Sequence, residues 1–240
     1  MHRRHFLHTA FALPAVAWAG NAIPVQPAAG EPFIINAGVG GNNTADLLAR
    51  IEKDCLAHKP DFTILMIGTN DMNSRKHIPL PEFEQNLRKM IGMITGSGSQ
   101  VLLMTILPGY EPYLFTRHPK AFYEPEGYQS RLQKVNATIK QVAEELKLHF
   151  LDLHHIFDKV GNVGEEAGSL IQNIANSNKN DGIHPTPDGY RTIAVAVYEK
   201  LISLNASYRR LVCFGDSITH GGGGVEGSSY PACLKKLLGY

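Results

Sequence analysis

A serine that could act as a nucleophile follows a short apolar run near the end of the chain. Residues 211–214 (Leu-Val-Cys-Phe) are apolar, and they are followed by Gly215, Asp216 and Ser217 and then by a glycine-rich turn, residues 221–224. In α/β proteins, ligands bind at the carboxyl ends of parallel strands, which is where Ser217 would stand. The turn after it exposes backbone N–H groups that could hold a developing negative charge. The same tripeptide could instead do no more than cap a turn.

A base is needed, because an unassisted serine hydroxyl is a weak nucleophile at neutral pH. His184 is the candidate base, and Asp181 lies three residues before it in a D-x-x-H pattern. Within one turn the carboxylate can reach the second ring nitrogen, as in any Ser-His-Asp arrangement. His220 is a rival base by its proximity to Ser217 along the chain, but the D-x-x-H pattern favours His184. Asp181 and His184 could also form only a capping turn before the helix that begins near Pro187.

Two more polar clusters follow apolar runs. Residues 36–42 (Asn-Ala-Gly-Val-Gly-Gly-Asn) follow one predicted strand, and residues 68–71 (Gly-Thr-Asn-Asp) follow another. Strands that alternate with helices predict a parallel sheet with helices on both faces. The predicted strands are residues 33–36, 62–67, 101–107, 150–153 and 211–214, and the predicted helices are residues 44–58, 81–94, 128–147, 165–175, 187–204 and 230–238. Because parallel strands end at one edge, the four motifs are expected to meet there.

The four motifs together resemble the four sequence blocks of the SGNH, or GDSL, hydrolases. The resemblance spans residues 31–240 and implies a serine esterase that needs no metal or other cofactor. It implies that Ser217 is the nucleophile, His184 the general base and Asp181 the residue that orients the base. It also implies an oxyanion hole formed by the Ser217 N–H, the Gly41 N–H and the Asn70 side-chain amide.

The glycine block leaves one position open. Gly41 rather than Gly40 matches the family block when residues are counted from Asn36, and the adjacent pair keeps Gly40 as the alternative. Asn42 and Asp71 are expected to brace the oxyanion hole rather than to donate to it.

The order of the blocks differs from the usual family order, because the serine block comes last here. We interpret the chain as a circular permutant, natural or engineered. The expected fold is a three-layer α/β sandwich, flavodoxin-like, with a five-stranded parallel sheet. Its strand 211–214 should lie between the strands that begin at Phe33 and Phe62. The ends of one compact domain often lie close together, which makes such an order tolerable.

An insertion at residues 108–127 is expected to flank the active site, because it leaves the carboxyl end of a predicted strand. Its Tyr110, Tyr113, Arg117 and Tyr123 are candidate substrate-binding residues, since aromatic and polar side chains suit a sugar. This composition favours the removal of O-acetyl groups from a small-molecule or polysaccharide substrate. A lysophospholipase or thioesterase acting on acyl chains is one alternative, and a catalytically inactive binding module of the same fold is another.

Composition restricts the other classes of function. A formal net charge of +1 gives no basis for nucleic-acid binding. Three cysteines make no disulfide framework, and neither H-E-x-x-H nor C-x-x-C is present, although histidines 149, 154 and 155 lie close together in sequence. No apolar run is long enough for stable membrane insertion. The oligomeric state and the natural substrate stay open.

The first thirty residues resemble an export signal and a linker rather than part of the fold. Arg3 and Arg4 open a basic start, residues 11–19 form a modest apolar run, and residues 17–19 (Ala-Trp-Ala) offer a small-x-small cleavage pattern. The paired arginines resemble a twin-arginine signal. We therefore expect residues 31–240 to form the catalytic domain and to fold without residues 1–30.

Overall fold

A computed structural model describes residues 31–161 and 163–240, so the expected export signal lies outside the described residues. The strands are β1 (Phe33–Gly38), β2 (Phe62–Met66), β3 (Gln100–Met104), β4 (His149–Leu151) and β5 (Arg210–Gly215). The α-helices among the described residues are α1 (Thr44–Asp54), α2 (Leu80–Gly96), α3 (Glu111–Leu114), α4 (Tyr128–Glu145), α5 (Leu153–Val160), α6 (Ile174–Ser177), α7 (Pro187–Ile202), α8 (Ser217–His220) and α9 (Tyr230–Leu238).

The strands form a single five-stranded parallel sheet in the order β1-β5-β2-β3-β4. The strand that leads to the serine therefore lies between the first two strands, as the sequence predicts. The pairing sets Gly38 of β1 and Met66 of β2 beside Gly215 of β5. Three strand ends are thus level at one edge of the sheet.

Helices cover the sheet in two groups. Helix α2 packs against both α1 and α4, and helix α7 packs against α9. All five residues of β2 are buried, as expected for a strand whose two faces are both covered. Helix α2 contributes a buried stripe at helical spacing, formed by residues Phe83, Leu87, Met90, Ile91 and Ile94.

Two helix predictions need correction. The predicted helix at residues 165–175 is wrong, because the only helix there, α6, begins at Ile174. Buried Ser169 and Asn173 explain the difference, since their side chains bond to backbone groups of the surrounding loop. The predicted helix 44–58 ends at Asp54 and continues as a separate 3-10 turn, Leu56–His58.

The strand predicted at residues 150–153 ends earlier, at Leu151. Asp152 caps the next helix, α5, by accepting a hydrogen bond from the N–H of His155. This helix is not among those predicted from the sequence.

The last residue of the chain lies near the beginning of β1. The hydroxyl of Tyr240 donates to the carbonyl of Tyr208 at 3.0 Å, and the N–H of Phe33 donates to the carbonyl of Arg209 at 2.8 Å. This proximity is what a permuted chain of this fold requires, and the permutation itself stays a prediction.

The end of β1 touches the turn that carries the serine so closely that no side chain fits between them. A Cβ atom on Gly38 would lie 2.1 Å from the backbone nitrogen of His220 and 2.6 Å from the carbonyl carbon of Thr219. Both neighbours are backbone atoms, so they could give way only if the turn moved.

We expect Gly38→Ala to lower the free energy of unfolding by about 1–3 kcal/mol, the usual effect of forcing extra volume into a packed contact. Gly40→Ala is the matched control, because a Cβ there meets nothing within 4 Å. It should change stability by less than about 0.5 kcal/mol. Urea unfolding of both variants measures the difference, and equal losses of stability would contradict the close contact.

Candidate active site

Ser217 begins a short helix just after strand β5, which lies between β1 and β2. Strand β5 ends at Gly215, and Asp216 caps α8 by accepting a hydrogen bond from the N–H of Ile218 at 2.9 Å. As the first residue of α8, Ser217 has a backbone N–H with no acceptor inside the helix. The hydroxyl and the free N–H of one residue are therefore held together at the sheet edge.

Ser217, His184 and Asp181 form a continuous hydrogen-bonded chain. His184 Nε2 lies 2.9 Å from Ser217 Oγ, and His184 Nδ1 lies 2.9 Å from Asp181 Oδ2 and 3.1 Å from Asp181 Oδ1. An ionised carboxylate can only accept, so Nδ1 carries the proton and Nε2 is left to accept from the serine hydroxyl. His220, the rival base, instead has its Nδ1 3.1 Å from the carbonyl of Gly221.

The turn that carries Asp181 and His184 is held by its own backbone. Asp181 Oδ1 accepts from the N–H of Ile183 at 2.9 Å and from the N–H of His184 at 2.7 Å. The turn leads into α7, which Thr186 caps by accepting from the N–H of Gly189 at 3.1 Å. The capping turn and the Asp-His pair are therefore the same structure rather than alternatives.

The two carboxylates near Ser217 have opposite electrostatic character. Burial raises the pKa of Asp181, but the hydrogen bond and charge of the His184 ring, with the two backbone N–H groups, outweigh burial and hold that pKa well below its usual value. Burial raises the pKa of Asp216 to about 6, and the backbone N–H of Ile218 only partly offsets it. Asp181 is thus the stable anion beside the histidine.

The glycine block forms a tight turn beside Ser217. The N–H of Asn42 donates to the carbonyl of Val39 at 3.3 Å, and Gly41 has φ +76, a conformation that favours glycine. The N–H of Val39 donates to the carbonyl of Gly215 at 3.2 Å, which ties this turn to the end of β5. Among the described residues, the N–H groups of Gly40 and Gly41 have no acceptor, so both alternatives for the oxyanion donor stay open.

Asn70 lies between the glycine turn and the serine turn. Its Nδ2 donates to the carbonyl of Asn42 at 2.8 Å and is 3.5 Å from Asp216 Oδ2. The short bond fixes the amide, while the long contact leaves its second hydrogen weakly held. This amide can therefore donate to an oxygen that develops negative charge beside Ser217.

Asp71 braces the same region from inside the protein. It is 1% exposed, and its Oδ1 accepts from the N–H of Thr44 at 2.9 Å and from the Thr44 hydroxyl at 2.5 Å. Asp71 Oδ2 has no partner among the described residues. Burial raises the pKa of Asp71 to about 6.

A cavity of about 530 Å³ opens at Ser217, His184 and Asp181. Its other polar lining residues are Gln172, Asn176, Ser177, Lys179, Tyr190, His220 and Ser228. Sequence reasoning missed the members between residues 172 and 179, because that stretch carries no catalytic motif and was interpreted in part as a helix.

The substrate-binding residues predicted from the insertion do not line this cavity. Tyr123 is buried, its hydroxyl donates to Asn73 at 2.7 Å and its ring packs against other aromatic rings, so it cannot stack on a sugar and that prediction is wrong. Arg117 Nη2 donates to the carbonyl of Asp181 at 2.6 Å. The N–H of Tyr110 donates to the carbonyl of Gly182 at 2.8 Å.

Tyr113 packs against the same turn, since a Cβ on Gly182 would lie 2.9 Å from its Cβ atom. The insertion therefore supports the turn that carries the Asp-His pair.

Within the described part of the chain, no group of three or more histidine, cysteine, aspartate or glutamate side chains could hold a metal ion. No helix among those residues is long and apolar enough to span a bilayer.

The comparison with known families agrees with this geometry. The sequence profile of the GDSL-like lipase/acylhydrolase family matches residues 12–192. The chain belongs to this family. The matched residues include the Gly41, Asn70 and His184 blocks and end before Ser217.

Relatives and solved structures support the same family. An acetylxylan esterase of Geobacillus stearothermophilus is 30% identical over 176 residues, which cover 70% of this chain and 71% of the relative. An uncharacterized lipoprotein of Bacillus subtilis (strain 168) is 30% identical over 177 residues, covering 68% of this chain and 71% of the relative. The crystal structure of a lipase/acylhydrolase from Enterococcus faecalis shares the fold, with a TM-score of 0.54 at 23% identity, over 68% of this chain and 72% of that chain. Together they show an esterase of the GDSL family.

We expect Asp71→Asn to flatten the pH dependence of stability between about pH 4 and pH 6. The folded chain binds a proton on Asp71 up to a pKa of about 6, whereas the unfolded chain releases it near 3.8. Stability therefore falls as pH rises through that window, and a neutral side chain removes this contribution. Removing the Asp71 charge also lowers the pKa of Asp216, which acts in the same direction.

Urea unfolding at several pH values compares the wild type and the variant. Glu226→Gln is the matched control: Lys235 lowers the pKa of Glu226 from its ordinary value of 4.5, so this group makes stability rise with pH, opposite in sign to Asp71, and does so at and below about pH 4.5. A wild-type slope retained in Asp71→Asn would show that the pKa of this carboxyl is not raised in the folded protein.

Proposed function

We propose that this chain is an exported serine esterase that hydrolyses carboxylic esters through an acyl-enzyme. The observation that carries the proposal is the 2.9 Å separation between Ser217 Oγ and His184 Nε2, with Asp181 hydrogen-bonded to the other ring nitrogen. This is the arrangement that an activated serine nucleophile needs.

In the first half of the reaction, Ser217 Oγ attacks the ester carbonyl carbon while His184 Nε2 takes the hydroxyl proton. The resulting imidazolium is stabilised by the Asp181 carboxylate, whose lowered pKa keeps it ionised. When the tetrahedral intermediate collapses, His184 gives the proton to the alcohol oxygen. The alcohol leaves, and the acyl group remains on Ser217 as an ester.

In the second half, water attacks the acyl carbon and His184 takes one of its protons. Collapse of this second intermediate breaks the bond to Ser217 Oγ, which takes the proton back from His184. The carboxylic acid is released and the free serine is restored.

The negative oxygen of each intermediate requires donors. We assign them to the Ser217 N–H, the Gly41 N–H and the Asn70 side-chain amide, with Gly40 as the alternative to Gly41. The support for this assignment is that these backbone N–H groups have no acceptor and that the second Asn70 hydrogen is weakly held. Each donor is held before the reaction, so little reorganisation accompanies the charge.

We further propose that the substrate is an O-acetyl group on a carbohydrate. The cavity at Ser217 is lined by amide, hydroxyl, imidazole and ammonium groups together with Pro185 and Pro187, and no aliphatic side chain of Leu, Ile, Val or Met is among its lining residues. Such groups suit the hydroxyls of a sugar, and an acetyl group needs little apolar room. The relative named as an acetylxylan esterase supports the same substrate class. A lysophospholipase or thioesterase would need an apolar channel for its acyl chain.

Export is part of the proposal. It rests on the basic start, the apolar run and the small-x-small pattern of residues 1–30, and on the relative that is named as a lipoprotein.

We expect Ser217→Ala and His184→Ala each to lower kcat by about 10⁴-fold or more, with the double variant little worse than either. The members of such a unit fail together, because each acts only through the other. Hydrolysis of an activated acetate ester measures the loss. Wild-type turnover in a folded Ser217→Ala protein would identify a different nucleophile, and an inactive wild type would favour a non-catalytic binding module.

Asn70→Ala belongs to the same test. It should lower kcat by about 10²–10³-fold and change KM much less, because its hydrogen bond strengthens in the transition state.

A substrate panel tests the acyl and sugar preferences. We expect kcat/KM to be highest for acetate and to fall steadily from butyrate to laurate, because the polar cavity offers no apolar path for a long chain. Acetylated xylooligosaccharides should be better substrates than simple alkyl acetates. A preference for laurate would favour the lysophospholipase or thioesterase instead.

A further inference from the structure

A single arginine on α1 joins the two strand ends beside the nucleophile. The side chain of Arg50 is 15% exposed and points toward the carboxyl ends of β1 and β5. Its Nη1 donates to the carbonyl of Ala37 in β1 at 2.9 Å, and its Nη2 donates to the carbonyl of Gly215 in β5 at 2.8 Å. Gly215 is two residues before Ser217, so Arg50 fixes the backbone from which the nucleophile is presented.

The same guanidinium holds the glycine turn. Arg50 Nε donates to Asn42 Oδ1 at 2.6 Å, and the guanidinium carbon lies 4.7 Å from the centre of the Phe214 ring. The acidic partner of Arg50 is Asp54, at 3.1 Å. A planar guanidinium has several N–H donors in fixed directions, so it can reach three separate acceptors at once, which a lysine ammonium on a flexible chain cannot reproduce.

Asn42 connects this arginine to the amide that is assigned to the oxyanion. While the Asn42 side chain accepts from Arg50, its backbone carbonyl accepts from Asn70 Nδ2 at 2.8 Å. The position of the Asn70 amide therefore depends on Asn42, and the position of Asn42 depends on Arg50.

We propose that Arg50 is a positioning residue for the oxyanion hole: by holding Asn42 and the ends of β1 and β5, it sets the Asn70 amide relative to Ser217. This inference rests on the proposed function. Arg50 touches no reacting atom, so its contribution passes through the donors that it aligns. A misplaced donor loses more of its stabilisation of the transition state than of the bound substrate, so kcat falls more than KM changes.

The test is Arg50→Lys, which keeps the positive charge and removes the fixed set of donors. With an activated acetate ester, kcat should fall by about 10–100-fold, a fraction of the loss of a whole oxyanion donor, while KM changes by less than about threefold. Arg88→Lys is the matched control, because Arg88 pairs with half-buried Glu84 and exposed Glu145 on the helical surface, away from the strand ends. It should keep wild-type kcat and KM.

A double-mutant cycle separates positioning from a purely structural role. If Arg50 acts through Asn70, Arg50→Lys should lower kcat much less in an Asn70→Ala background than in the wild type. Equal losses of kcat in both backgrounds, or a loss that appears in KM, would overturn the proposal. So would a folded Arg50→Lys protein with wild-type kcat.

Asn42→Ala keeps the test available if Arg50→Lys fails to fold. It removes the side-chain acceptor and retains the carbonyl that binds Asn70, and it should lower kcat by about three- to tenfold, less than the loss of a whole donor. Unchanged kcat in Asn42→Ala would also overturn the proposal. Ser217→Ala separates this failure from that of the proposed function: if Ser217→Ala is inactive while Arg50→Lys is fully active, only the role of Arg50 is wrong.

Discussion

The site depends on the register with which β5 pairs between β1 and β2. This register sets Gly38, Gly215 and Met66 in one row at the carboxyl edge of the sheet. The glycine turn, the serine turn and the loop that carries Asn70 all leave from that row, so each needs only a few residues to reach the same point. A shift of β5 by one residue would turn every side chain to the opposite face and would separate Ser217 from the glycine turn and from Asn70. The apolar residues of β5, buried on both faces, oppose such a shift.

The two carboxylates beside Ser217 are both aspartates, and they differ in charge state because their surroundings differ. Asp181 receives hydrogen bonds from the ring of His184 and from two backbone N–H groups, and these stabilise its anion at the rim of the cavity. Asp216 is buried, and its nearest partner besides the Ile218 N–H is the distant Asn70 amide. One carboxylate can stabilise an imidazolium, and the other shapes the turn that carries Ser217.

The sequence predicted the parallel sheet, the place of β5 in it and the residues that meet at its edge. These predictions succeeded because an apolar run that ends in Gly, Asn, Asp or Ser indicates both a buried strand and its polar end.

The predictions that were wrong rested on composition alone. Tyr123 was interpreted as a sugar-binding ring, but aromatic residues in a loop can equally pack on one another, and neighbouring rings bury it. The segment that includes Asn173 was interpreted as a helix, yet its side chains bond to local backbone groups in place of helical bonds. Arg50 carries no motif, and only the fold brings together Ala37, Asn42 and Gly215, its three acceptors outside α1.

Strand β5, which lies between β1 and β2 in the sheet, is the last strand in sequence among the described residues. Within the described part of the chain, strand β1 pairs only with β5, so its backbone donors and acceptors remain without this partner until residues 210–215 have been synthesised. Pairings between segments this distant in sequence form slowly, and an unpaired strand is exposed to association with other chains until they form. Folding of this enzyme on the ribosome therefore cannot finish strand by strand as the chain emerges. Strand β1 can join the sheet only once β5 is available, and the site at Ser217 can form only from then on.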